Sequence, residues 1–224
     1  MGKLLDRISL PGVVMILVGI FLLYQGIPDL MTSFRTPKSF DELLEDGGLS
    51  EGDHVQGRVP FLLDSFAIEE TWQENTSNNS RTPKKTSRYY YVFPCGDGVA
   101  GLSVNASEAS LSNKLVDETY AYLADEGDVP ETELVLDARA MAMDEELSEL
   151  FEEELKEYYD FTNAEIAELG TFLMITPRSF TAARVLSGVG AGLIVLGVLL
   201  TVRLWRKTGE PKSRDDEKEL ITNL

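Results

Sequence analysis

His54 is the only histidine and Cys95 the only cysteine in 224 residues, and that alone bounds the chemistry open to this chain. A single histidine excludes His–His zinc ligation and the HExxH pattern of metalloproteases. A single cysteine excludes an intramolecular disulfide and a cysteine-based zinc site. His54 stands before a strand-like run, where a lone histidine is ordinarily a surface or edge residue. Cys95 lies in a Pro94-Cys95-Gly96 turn with no histidine near it in sequence to act as base, which argues against a nucleophile. Ser112 and Lys114 are the residue types of a Ser–Lys hydrolase, but two positions apart on a helix they face different directions. No phosphate-cradling GxxxxGK loop occurs, and Gly96-Asp97-Gly98 reads as a tight turn. No catalytic, cofactor-binding or metal-ligating residue is assigned on these grounds, and the chain is expected to need no cofactor and to be no enzyme.

Charge offers two further candidates. Glu145, Glu149, Glu152, Glu153 and Glu157 share a helical stretch and repel one another by roughly a few tenths of a kcal/mol per i,i+4 pair. Calcium would relieve that repulsion, yet no D-x-D-x-D-G loop is present and carboxylates so spaced make a poor cage, so a solvated face is the preferred reading. Arg81, Lys84 and Lys85, with Arg88 at the base, give a basic tip to an otherwise acidic region. Such a tip could grip an anionic partner; a polar loop that discourages edge pairing is the plainer explanation. Asn75-Thr76-Ser77, Asn78-Asn79-Ser80 and Asn105-Ala106-Ser107 match glycosylation acceptors, which by this reading matter only in a eukaryotic secretory route.

The elements that must position these residues begin with two apolar runs. Val185 to Val202 is eighteen residues without a charge. At ~1.5 Å per residue a helix of that length covers about 27 Å, close to the ~30 Å hydrocarbon core of a bilayer. Only a helix satisfies its own backbone there. Trp205 would sit at headgroup level beside Arg203, Arg206 and Lys207. Ile8 to Tyr24 is the second run, with Pro11 placed for a first helical turn. It is long for a signal peptide and lacks a small-x-small cleavage site, so an uncleaved anchor is expected. The basic residues following the second run, continued by Lys212, Arg214 and Lys218, put both termini in the cytoplasm and the middle outside. The expected organisation is a cytoplasmic N-terminus at 1–7, transmembrane helices at 8–30 and 181–205, an extracytoplasmic domain at 31–180 and a cytoplasmic tail at 206–224. Gly188 and Gly192 form a GxxxG step with Ser187 and Ala191 beside them, and Gly12, Gly19 and Gly26 recur every seven residues. Both patterns suit close helix packing in lipid, within or between chains.

The middle region carries 31 Asp and Glu against 11 Lys and Arg between Thr32 and Phe180. Such an excess keeps a domain soluble and disfavours nucleic acid and anionic lipid as partners. Ser39 and Glu42 make a capping box for a helix from Phe40 to Glu45, closed by Gly47-Gly48. Alternation predicts strands over Val55 to Leu63, Phe66 to Trp72, Arg88 to Phe93, Val99 to Val104 and Leu134 to Arg139. Gln73 to Ser87 is too polar to pack and is expected to be a mobile hairpin loop. Helical spacing covers Leu111 to Leu123, Asp144 to Tyr159 and Asn163 to Leu169, the last with a Thr162/Glu165 box and a Gly170 stop. The fold class expected is α+β: two transmembrane helices flanking a small antiparallel sheet, able to close as an OB-like partial barrel, with three or four helices.

The run LLEDGGLSEGDHVQGRVPFLLDSFAIEE, with SRYYYVFP and VAGLSVN, resembles a family of small bacterial two-pass membrane proteins without an assigned activity. Gly52-Asp53-His54-Val55-Gln56-Gly57 is also similar to the GxxVxVxG strand that opens the OB-like domain of other membrane proteins, with Gln56 in place of the second apolar residue. The resemblance covers about 60 residues of the middle region and carries over no functional residue. Two function classes follow. The first is a membrane-anchored, non-enzymatic extracytoplasmic interaction or scaffold domain, integral to the plasma membrane, in contact with the lipid bilayer and with a protein partner or with itself through its transmembrane helices. The second is a cation-responsive sensor or membrane-bound hydrolase whose site assembles from residues distant in sequence.

Overall fold

The structure, a computed structural model, describes residues 10–75 and 80–209. Lys3, Arg7, the hairpin tip at 76–79, the side chains of Trp205, Arg206 and Lys207, and the basic residues of the tail lie outside the described residues. In chain order the elements are α1 (Leu10–Thr32), α2 (Phe40–Asp46), β1 (His54–Arg58), β2 (Ser65–Thr71), β3 (Glu74–Asn75), β4 (Ser80–Arg81), β5 (Lys85–Cys95) and β6 (Gly98–Asn105). A 3-10 turn (Ala106–Glu108) leads to α3 (Ala109–Leu123), β7 (Val135–Ala142), α4 (Glu145–Tyr158), α5 (Asn163–Leu169), β8 (Leu173–Pro177) and α6 (Phe180–Gly209). Two compact units result, Met31–Ser179 and the pair of flanking segments.

In the flanking unit, α1 and α6 are each long and apolar enough to cross a membrane. They pack antiparallel through small residues. A Cβ added at Gly19 would lie 2.6 Å from the Gly190 carbonyl oxygen, one at Gly197 would lie 2.6 Å from that of Gly12, and one at Gly26 would meet Ser187 Oγ at 2.7 Å. The seven-residue spacing of Gly12, Gly19 and Gly26 is thus matched by Gly190 and Gly197, the period that keeps one seam facing its partner along a left-handed pair. The expected GxxxG step is not this seam: Gly188 and Gly192 have nothing within 4 Å of an added Cβ. Position on the helix decides this, because residues 188 and 192 fall on a different face from 190 and 197.

The Met31–Ser179 unit is built on a six-stranded sheet of order β1-β7-β8-β6-β5-β2. Neighbours are antiparallel except β6 and β8, which run parallel. The sheet is therefore mixed and open, and the purely antiparallel, OB-like closure expected from the sequence is corrected. The reason lies at Val59–Asp64. Pro60 has no amide for a ladder, so β1 ends at Arg58 well short of the expected Leu63. The chain then crosses from one side of the sheet to the other, with Val59 bonded to Leu134 and Leu63 bonded to Val92. That crossing leaves β1 and β2 at opposite edges, where they cannot pair.

Both faces are covered. Tyr91, Phe93, Leu102, Val104, Leu136 and Ile175 form one core with Phe40 and Leu43 of α2 and Leu115 of α3. Val92, Phe151 and Leu155 form a second, with Phe66, Phe161, Leu169 and Phe172 packed against it. The uninterrupted aromatic run of β5 follows from this: a strand buried on two faces needs apolar residues at both parities. Both expected capping boxes form, Ser39 with Glu42 and Thr162 with Glu165. β8 is unmarked in the sequence, since Leu173-Met174-Ile175-Thr176-Pro177 is short and shows no apolar–polar alternation, its three central residues being buried together.

At the Gly96-Asp97 turn between β5 and β6, Gly96 has φ +58° and an added Cβ would lie 2.9 Å from Gly47 Cα. Its amide bonds the Leu43 carbonyl at the end of α2. Gly96→Ala is expected to destabilise the domain by about 1–3 kcal/mol, through positive-φ strain and the clash together. Chemical denaturation measures this, and an unchanged midpoint would contradict the close approach.

Candidate functional site

The sheet's β2 edge is where surface chemistry concentrates. β2 has β5 on one side and, among the described residues, no strand on the other. Its register slips near Phe66 and between Glu69 and Glu70, bulges of the kind that twist an edge strand. Ile68 and Trp72 are 54% and 47% exposed there. Beside the edge runs α4, whose Asp144 caps the helix by accepting from the Leu147 amide at 2.9 Å. Phe151 and Leu155 are buried, which turns Glu145, Glu146, Glu149 and Glu153 outward. A groove of about 270 Å³ between the two elements is lined by Ala67, Ile68, Glu69, Tyr90, Leu147 and Leu150, with Asp144 and Glu146 on its rim.

Inside the groove the Tyr90 hydroxyl donates to Glu69 Oε2 at 2.8 Å. That bond, helped by Ser87 and the Arg88 charge, holds the Glu69 carboxyl below its usual range. Burial, then the Glu69 carboxylate, pushes Tyr90 up to about 12. The groove therefore presents a fixed negative charge at neutral pH together with an apolar floor.

A second cluster ties the edge to two helices. The Tyr120 hydroxyl of α3 donates to Asp64 Oδ2 at 2.5 Å and lies 3.4 Å from the Tyr159 hydroxyl, which accepts from the Asp64 amide at 3.3 Å. Burial, with Asp64 and Glu157 as negative neighbours, holds the Glu154 carboxyl above its usual range. A carboxyl raised in the folded state binds its proton more tightly there than in the unfolded chain, so stability falls as pH rises through the raised value. Glu154→Gln is expected to raise the Tm at neutral pH and to leave it unchanged well below the carboxylate range. Equal shifts at both pH values would remove the electrostatic explanation.

The sequence candidates come to rest apart from one another. His54 lies on the edge strand β1 but is 8% exposed, with Nε2 2.7 Å from Asp137 Oδ1 on β7. Cys95 ends β5 half-buried in a depression lined by Leu49, Val99, Leu169 and Phe172. Burial pushes its thiol up, which disfavours the nucleophilic thiolate. Ser112 is fully buried and donates to the Glu108 carbonyl, whereas Lys114 is exposed and pairs with Glu118. Two residues of the basic tip are matched within it: Lys84 Nζ lies 2.8 Å from Glu70 and 5.7 Å from the Trp72 ring centroid, and Arg81 pairs with Glu74. Much of Gln73 to Ser87, expected to be a mobile loop, is ordered by β3, β4 and the start of β5. Lys156 bonds Glu152 on α4. Among the described residues no group of three or more His, Cys, Asp or Glu is placed to hold a metal.

Two motifs escaped the sequence reading. Gly48-Leu49-Ser50-Glu51-Gly52 has the spacing of a GxSxG nucleophile elbow, and Gly96-Asp97-Gly98-Val99-Ala100-Gly101 that of a GxGxxG fingerprint. Each needs a strand that turns into a helix. Ser50 instead follows α2 and precedes β1, its amide bonded to Asp53 Oδ2 at 2.9 Å, while the His54 ring engages Asp137. The second run turns from β5 into another strand, β6. In the first loop the amides of Ser50, Gly52 and Asp53 are already bonded within the domain, and in the second that of Gly96 is.

Fold and site together define an α+β domain on an open mixed sheet, bracketed by two apolar helices and carrying a surface groove. The chain belongs to the family defined by a domain of unknown function, DUF8577, whose model matches residues 3–203. No curated protein and no solved structure matches it.

Proposed function

We propose that this is a two-pass protein of the plasma membrane, with cytoplasmic termini, whose central domain is a non-enzymatic docking module outside the cell. The occupant of the β2–α4 surface is an extended, basic segment of another protein, added as a strand alongside β2. The open β2 edge beside an acidic helix carries this reading. An edge supplies backbone donors and acceptors, and pockets along it select side chains. Ile68 and Trp72 offer apolar contacts, while Glu145, Glu146 and Glu149 favour Lys and Arg on the incoming chain. The apolar flanking helices support anchoring in a bilayer, and the acidity of the domain speaks against nucleic acid as a partner.

A photoreactive residue at position 68 tests this in intact cells, with one at Gln56 on the opposite edge as control. The expected result is a discrete protein adduct from position 68 alone, lost when Glu145, Glu146 and Glu149 are changed to Lys. Absence of an adduct, or an equal one from Gln56, rejects the surface.

A further inference from the structure

We infer that Asn105 is an acceptor for N-linked glycan. Asn105-Ala106-Ser107 places a hydroxyl two residues beyond the amide with no proline between, the pattern of an acceptor on a surface segment. Its setting fits. Leu102, Ser103 and Val104 of β6 are buried, and the strand emerges at Asn105, which is exposed together with Ser107. Asn105 stands at the N-cap of the 3-10 turn Ala106–Glu108 with extended dihedrals of −67° and 146°, yet its side chain makes no capping bond. Asparagine is among the best N-caps; here the amide is left to solvent instead.

An open groove of about 460 Å³ adjoins this amide, lined by Thr71, Lys85, Thr86, Ser87, Asn105 and Ser107. Polar groups and carbon share its walls about equally: the side chains of Thr71, Thr86, Ser87 and Ser107 and of Lys85 line it together with Ala106, and no aromatic or large aliphatic side chain does. The Thr71 hydroxyl donates to the Lys85 carbonyl and that of Ser87 to the Glu69 carbonyl, so both oxygens keep lone pairs for incoming hydroxyl groups. A first sugar attached at Asn105 would lie over polar groups able to bond its ring hydroxyls.

The co-reactant is a sugar carried on a polyprenyl phosphate or diphosphate. A bond forms between Asn105 Nδ2 and the sugar C1, the bond from C1 to the lipid phosphate oxygen breaks with its electron pair leaving on phosphate, and the amide nitrogen gives a proton to solvent. The inference rests on the exterior placement proposed above, because the acceptor must meet a donor on that side, and it widens the eukaryotic-only reading of the sequence to any exterior supplied with such a donor.

Full-length protein from its native membranes is the material for the test. Trypsin releases Tyr89–Lys114, which contains Asn105 and also Asn113, a residue outside any acceptor pattern. The expected peptide carries a sugar mass on Asn105, absent from Asn113 and lost in both Asn105→Gln and Ser107→Ala. Placement is read separately by labelling an exposed variant away from the β2–α4 surface, Glu126→Cys, against the parent chain with its single Cys95, in intact cells with a membrane-impermeant maleimide. Labelling with an unmodified Tyr89–Lys114 peptide overturns the acceptor and leaves the placement standing. Failure to label intact cells, with labelling after lysis, overturns the placement and the acceptor with it.

Discussion

Gly190→Leu is expected to separate the two apolar helices, and Gly19→Leu to do the same from the other side. Added side chains at these positions begin inside the opposite backbone: the Cβ of residue 190 would lie 2.9 Å from the Gly19 carbonyl oxygen, and that of residue 19 would lie 2.7 Å from Ile194 Cγ1. A flexible side chain can move aside, but a helix carbonyl moves only with its helix. The cost is therefore of the overpacking kind, about 1–3 kcal/mol and more where backbone must shift. In lipid no hydrophobic drive exists to restore the pair, because the surrounding chains are as apolar as the seam. Thermal melts of the full chain in detergent measure the loss. Gly188→Leu and Gly192→Leu, on an open face, are expected to leave the Tm where it was. Equal losses at 188 and 190 would refute the seven-residue seam.

Phe151→Ala has the second large effect, and it bears on the docking surface directly. Phe151 is fully buried, with its ring centroid 4.9 Å from that of Phe66 on β2 and 5.2 Å from that of Phe172 before β8. It is thus the side chain through which α4 grips both the edge strand and the middle of the sheet. Truncation removes the transfer energy of the ring and leaves a cavity between elements that cannot fully collapse, about 3–5 kcal/mol in comparable cores. Against typical domain stabilities of about 5–15 kcal/mol, that loss should lower the denaturation midpoint sharply. It should also abolish the position-68 adduct by loosening the helix that rims the groove. Glu149→Gln, exposed on the same helix, is expected to stay within about 0.5 kcal/mol of the parent. A loss below about 1 kcal/mol for Phe151→Ala would mean that α4 is held by something else.

The local elements were legible wherever one residue type has one structural consequence. The Ser39–Glu42 and Thr162–Glu165 boxes announce helix starts because a hydroxyl and a carboxylate three residues apart satisfy orphan amides reciprocally. The stripe of Leu147, Phe151 and Leu155 announces α4 and its buried side, hence also the outward carboxylates. β8 was illegible because Leu-Met-Ile-Thr-Pro, with its three central residues all buried, carries no period of two. Of the candidate surface, the acidic helix was visible in the sequence and the open edge was not: that edge exists because β1 and β2, adjacent in the chain, are carried to opposite sides of the sheet. The preference for a polar loop over a partner grip at the basic tip agrees with the pairing of Arg81 with Glu74 and of Lys84 with Glu70 across the hairpin.

Composition and hydropathy by themselves determined that this is an acidic α+β region between two apolar helices, without a histidine pair or cysteine set for zinc, a second cysteine for an internal disulfide, or an HExxH pattern. Those properties follow from residue counts and short-range periodicity, which need no partner in space. Tertiary structure alone decided that the sheet stays open, that Gly190 and Gly197 rather than Gly188 and Gly192 meet the first helix, that His54 bonds Asp137, and that Asn105 is exposed beside an open groove. Each depends on which residues far apart in the chain come within a few ångströms, and that is set by the packing of the whole.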